Sequence, residues 1–144
     1  MNICGFEFPD ELWILVEHQV WARLHEDGTA TVGITSVGAR EAGEIYMCRP
    51  KPVGTRVERG RSVAVVELAK SIVSVKSPVG GEVVEVNPRL AQEPELAYKD
   101  VYGDGWLVRL RVSDFEADRP HLRRGEALRG AVEHYLWLNK VERP

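Results

Sequence analysis

The sequence predicts a mainly β, single-domain fold: a small sandwich or barrel with short helices at its margins and one helix at its C-terminal end. Three observations predict it. Period-two runs of β-branched and other apolar residues recur at short intervals between Thr31 and Val112. Gly, Pro and Asp-Gly turn signals separate them, and one long amphipathic pattern at helical spacing falls after Asp118.

Taken in chain order, Asp10 opens a short helical segment through Val16, and Asp27-Gly28 turns the chain into a strand over Thr31 to Thr35. Ser36 caps a helical segment that ends near Gly43. Strands follow over Glu44 to Cys48, Val63 to Leu68, Ile72 to Val75 and Glu82 to Val86, broken at Pro52-Val53-Gly54, Arg59-Gly60 and Pro78 to Gly81. Asn87 to Gly105 carries Pro88 and Pro94 with no clear period, so it reads as a long loop with a turn of helix at Glu93 to Leu96. Trp106 to Val112 is the last strand, and Trp106 is its large core residue. Leu122, Leu128, Ala131, Val132, Tyr135 and Leu136 share one face, which predicts a helix from Pro120 to about Lys140 with Asp118 as its cap, weakened at Gly125 and Gly130.

Composition excludes several classes of function. The 144 residues make one domain, and 19 basic against 22 acidic residues leave a net charge of −3, with no drive toward nucleic acid. Cys4 and Cys48 are too few for a secreted disulfide scaffold and are read as free thiols. The first residues carry no basic stretch ahead of an apolar core, and the apolar run Trp13 to Val16 is too short for a bilayer, so the expected location is the cytoplasm, with no membrane partner. There is no phosphate-cradling Gly loop, no nucleophile elbow and no His-Glu-x-x-His. His18, His25, His121 and His134 have no ligand spacing, so neither an enzyme nor a metal site is expected.

The informative segment runs from Val65 to Ser74, where Lys70 sits between two apolar strand-like runs. A long cation at a loop tip reaches other proteins, but a solvated charge is the ordinary alternative, since Ala69-Lys70 lacks the Asn or Gly of a primed hairpin turn. Lys76 is an equal candidate by chemistry alone.

From about Phe8 to Asp114 the chain resembles the glycine cleavage system H protein. The resemblance rests on Glu17-His18 followed by Trp21, Asp27 to Thr35, Gly43-Glu44-Ile45, Val53-Gly54 and Glu67-x-x-Lys70. It continues through Pro78-Val79-x-Gly81 to Asn87, Pro94-Glu95-Leu96 and Tyr102-Gly103-x-Gly105-Trp106-Leu107. It implies the barrel-sandwich hybrid, or hammerhead, of lipoyl domains, with a core over about 17–114 and a helical extension over about 118–140. It implies a non-catalytic carrier with lipoate attached covalently to Lys70 as a swinging arm, and Glu67 and Gly81 as the flanking residues that accompany modification. Ala69 and Ser71 stand where a biotinyl domain has methionines. The implied partners are a lipoate ligase or lipoyl transferase, the enzymes that load and unload the arm, and dihydrolipoamide dehydrogenase, with the carrier itself a monomer.

Near the arm the sequence departs from that pattern. It reads His18-Gln19-Val20-Trp21 where His-Glu-Trp is usual, Leu68-Ala69 before the lysine, and Pro50-Lys51-Pro52 before Val53-Gly54. Together with Cys4 and Phe8 to Leu12, these features are similar to the lipoate-binding proteins of the heterodisulfide-reductase-like sulfur-oxidation pathway. That resemblance implies a sulfur-containing cargo and a heterodisulfide-reductase-like complex as partner. The alternatives are an aminomethyl cargo in glycine cleavage, or an unmodified interaction module. An absent carboxylate and an added Lys51 favour an anionic cargo, while Glu17 remains close enough in sequence to supply the acid. Glu93, Glu95, Asp100 and Asp104 form an acidic run suited to guiding basic partners.

Overall fold

The computed structural model describes residues 1–144. Its strands form three antiparallel sheets. Strands β1 (Asn2–Ile3) and β2 (Phe6–Glu7) make a hairpin at the N-terminus, turning at Cys4-Gly5 with φ of 55° and 92°. A six-stranded sheet is built from β3 (Trp13–Leu15), β4 (Val20–Leu24), β5 (Thr29–Ile34), β7 (Arg56–Val57), β10 (Gly81–Val86) and β11 (Val108–Val112), in the spatial order β3-β4-β5-β11-β10-β7. The third sheet has the order β6-β8-β9, with β6 at Met47–Pro50, β8 at Ser62–Glu67 and β9 at Ile72–Lys76. Four α-helices lie outside the sheets: α1 (Ser36–Ala42), α2 (Leu96–Lys99), α3 (Phe115–Asp118) and α4 (Ala127–Leu138). The molecule is therefore mainly β with short peripheral helices and a C-terminal helix.

Two apolar cores explain this layering. In the first, inward residues of the large sheet, among them Val20, Ala22, Val32 and Leu110, meet Cys48, Val63 and Val66 of the three-stranded sheet. In the second, Leu12, Ile14 and Trp21 on the other face of the large sheet meet Ile3, Phe6 and Phe8 of the N-terminal hairpin and Leu128, Val132 and Leu136 of α4. The large sheet is thus covered on both faces at β3 and β4, which is why strand β4 escaped the alternation test: Val20, Trp21 and Ala22 are consecutive and all buried. For the same reason Asp10 to Val16 is not helical. Trp13–Leu15 pairs with β4 as a strand, and a 3-10 turn at Val16–His18 follows.

Other expectations shift in register. The helix after Thr31 to Thr35 runs over Ser36–Ala42 as expected, but its cap is Thr35, whose hydroxyl accepts from the Gly38 N–H at 3.1 Å. The strand expected over Glu44 to Cys48 is Met47–Pro50. Pro120 to Lys140 is not one helix, because Arg123 exchanges backbone bonds with Ile14 and Gly125 adopts φ +61°, so α4 begins only at Ala127. Asp118 does not cap it: its carboxylate accepts from the Gly80 N–H at 2.8 Å and from Arg59 at 3.3 Å. The long loop holds a 3-10 turn at Pro88–Ala91 and α2, closed by the buried Asn87 amide, which donates to the carbonyls of Asp104 and Trp106 at 2.7 and 2.8 Å. Trp106 precedes the last strand and is half-buried, whereas Trp21 is the fully buried tryptophan.

Candidate functional site

The β8–β9 hairpin aligns Val66 with Val73 and Glu67 with Ile72, and a four-residue connection, Leu68–Ser71, joins them. The Leu68 N–H donates to the Ser71 carbonyl at 2.8 Å, and Ala69 and Lys70 keep negative φ, so this turn needs neither Asn nor Gly. Lys70 stands exposed at its tip with no ion pair or side-chain hydrogen bond. Around the tip Tyr46 and Ile72 are exposed apolar surface.

Beside the hairpin lies a groove of about 330 Å³. One wall is β9, the edge strand of its sheet, from Val73 to Lys76. The opposite wall is Glu17 to Val20, with Ile34, Gly38, Glu41 and Ala42 behind it and Tyr135 of α4 at its margin. Gln19 fixes the Glu17–His18 turn. It adopts φ +50°, is buried, accepts from the Thr35 hydroxyl at 2.6 Å and donates through Nε2 to the Val16 carbonyl at 2.9 Å. Its amide is spent on the Val16 carbonyl and the Thr35 hydroxyl, and Glu17, not residue 19, presents a carboxylate to the groove. Glu41 accepts the Tyr135 hydroxyl at 2.6 Å, and burial, together with that facing carboxylate, pushes the Tyr135 phenol well above its usual range.

The expected site residues separate in space. Glu67 ends β8 close to the Lys70 tip, half-buried between Met47 and Ile72 on the neighbouring strands. Gly81 lies beyond the other end of the hairpin, between β7 and β11, where a Cβ would run into the Arg111 carbonyl. Its requirement is steric. Gly81→Ala should therefore cost about 1–3 kcal/mol in denaturant unfolding.

Lys76 lines the groove half-buried and without an ion pair. Lys51, expected near the arm, instead lines a separate cleft with Arg56, Arg59 and Arg61 near the hairpin base, because its N–H bonds the Val63 carbonyl at the start of β8. The acidic run is also put to local use: Glu93 and Asp104 both pair with Arg89 at 3.1 Å, and Asp100 accepts the Asp104 N–H at 2.8 Å. The glutamate at 41 and the tyrosine at 135 carried no motif signal, since 94 positions separate them.

The thiols are free and sit in different cores, Cys4 against the second and Cys48 within the first. Burial pushes the Cys48 thiol from an ordinary value of 9.0 up to about 12. Iodoacetamide at neutral pH should label Cys4 and spare Cys48. Unfolding releases the Cys48 proton between pH 9 and about 12, so stability falls as pH rises through that window. The fall should be shallower in Cys48→Ala. No helix is long and apolar enough to cross a membrane.

The site fits a long acyl arm on Lys70: an unpaired amine on an exposed hairpin tip, and beside it a mostly apolar groove whose lining strand also holds a buried Ser74 hydroxyl without a partner. Comparisons with known proteins show the family to which the chain is related. A family model described as glycine cleavage H-protein matches residues 13–135. The chain is 42% identical over 135 residues to glycine cleavage system H protein 3 of Aquifex aeolicus, covering 92% of this chain and 84% of that one. It is 41% identical over 108 residues to the glycine cleavage system H protein of Marinobacter nauticus, covering 75% and 82% of the two chains. A crystal structure of a glycine cleavage system H protein from Mycobacterium marinum superposes with a TM-score of 0.70 at 26% identity, over 92% of this chain and 99% of that one. The narrower resemblance to sulfur-oxidation carriers finds no support in these matches.

Proposed function

The chain belongs to the glycine cleavage H-protein family, and from that premise we propose that Lys70 bears the lipoyl group and that the arm carries the aminomethyl group between the enzymes of glycine cleavage. Members of the family are non-catalytic carriers with lipoate on a lysine, so the chain itself supplies no acid, base or metal. The observation that carries the reading is the unpaired Lys70 at a hairpin tip whose edge strand lines an apolar groove. Lipoate supplies a disulfide that opens to take cargo on sulfur. The protein does the rest: β8 and β9 hold the amine out to visiting enzymes, Val66, Leu68 and Val73 offer the arm an apolar resting surface, and Glu17 and Glu41 bring negative charge to it. A ligase or lipoyl transferase installs the group, dihydrolipoamide dehydrogenase reoxidises it, and the carrier works in the cytoplasm as a monomer that docks transiently.

The test is a reconstituted glycine decarboxylation assay with the lipoylated chain. Loading of glycine-derived carbon onto the protein is the expected result. No loading, beside a control H protein that loads fully, overturns the aminomethyl reading. A second reading, an anionic sulfur cargo exchanged with a heterodisulfide-reductase-like complex, is favoured by Lys76, which faces the groove with no counter-charge within ion-pair distance. Sulfur transfer to that complex in place of glycine loading is the outcome that selects it.

A further inference from the structure

We propose that Glu41 is the counter-charge for a cationic arm head in the groove and that Tyr135, from the C-terminal helix, is its positioning residue. This deepens the aminomethyl reading and rests on it. The observation is a carboxylate with a fixed direction and a vacant oxygen. Glu41 leaves α1 in its last turn and accepts the Tyr135 hydroxyl through one oxygen at 2.6 Å, while its other oxygen has no protein partner.

No cation pairs with it. Lys76 and His18 line the same groove, and Arg40 and Lys140 line a second cleft that Glu41 shares, yet none of the four comes within ion-pair distance of Glu41. Tyr135 is half-buried against the body, and the bond it donates ties α4 to α1 across 94 residues of sequence. An exposed glutamate gains little stability from such a bond, and restraining it costs side-chain entropy. What the bond does supply is orientation at the groove margin. An ammonium entering a largely apolar groove loses hydration and needs a carboxylate held ready, whereas an anionic head is repelled by one and a neutral head gains no charge pairing from it. The helix that contributes Tyr135 thereby becomes part of the cargo site.

The experiment uses the full lipoylated chain in a Cys4→Ser background. The arm is reduced and alkylated with 13C-labelled bromoethylamine, iodoacetamide or iodoacetate, giving stable cationic, neutral and anionic heads. The ammonium of the cationic head is titrated by 13C NMR, and the backbone signals of Glu41 and Tyr135 are followed. We expect the ammonium to hold its proton about tenfold more tightly in the parent than in Glu41→Gln, with Tyr135→Phe between them. We also expect the Glu41 and Tyr135 signals to move for the cationic head alone. Equal proton affinity in parent and Glu41→Gln, or signals that move as far for the anionic head, overturns the proposal. The glycine assay separates the two claims. Equal titrations in a parent that still loads from glycine defeat the Glu41 assignment and leave the aminomethyl reading standing. A Glu41-dependent titration in a parent that never loads supports the cation site and defeats that reading.

Discussion

Lys70→Arg should abolish lipoylation and glycine-derived loading together while leaving the fold intact. Arginine keeps the positive charge, but its guanidinium stays protonated and is not acylated by the enzymes that modify an amine. Lys70 has no ion pair and no side-chain hydrogen bond, so its replacement should change stability by no more than about 0.5 kcal/mol. Lys76→Arg is the matched control. That lysine lines the groove wall away from the tip, and its variant should be lipoylated like the parent. Intact mass reports modification, and thermal unfolding reports the fold.

The largest loss of stability should come from Trp21→Ala. The Trp21 side chain is fully buried, its ring rests on Gly33, and its indole N–H is shared between the Ile34 and Val101 carbonyls at 3.0 Å each. Emptying such a site costs about 3–5 kcal/mol, a large share of a small domain's stability. Trp21→Phe keeps most of the ring but strands two carbonyls, for a cost of about 1–3 kcal/mol. Trp137→Ala, at a residue 75% exposed on α4, should fall within about 0.5 kcal/mol. Urea unfolding of the three variants gives the order directly. Equal losses at Trp21 and Trp137 would mean that the second core is not where the structure places it.

Much of this architecture was legible because strands with one covered face alternate. Ser62–Glu67 and Gly81–Val86 fall within a residue or two of the periodic runs that predict them. Strand β4 was not legible, since cores on both sides bury Val20, Trp21 and Ala22 in a row. The break before α4 was hidden because Leu122 continues the helical spacing while packing from an extended segment. At the site, the place of Lys70 between two apolar runs left Lys76 an equal candidate by chemistry, and only the family resemblance, with Glu67 three residues ahead, singled Lys70 out. The groove was not legible, because Glu17, Glu41 and Tyr135 come from three distant segments joined only by the fold. Gln19, which marks a missing acid in one dimension, is in three dimensions the residue that aims Glu17.

The central claim, a lipoyl arm on Lys70, is tested most directly by peptide mass mapping of the chain after incubation with a lipoate ligase. One lipoyl group, wholly on the peptide containing Lys70 and absent from Lys70→Arg, is the predicted result. Lipoate on Lys76, or a chain that stays unmodified while a control H protein is fully lipoylated, would contradict it.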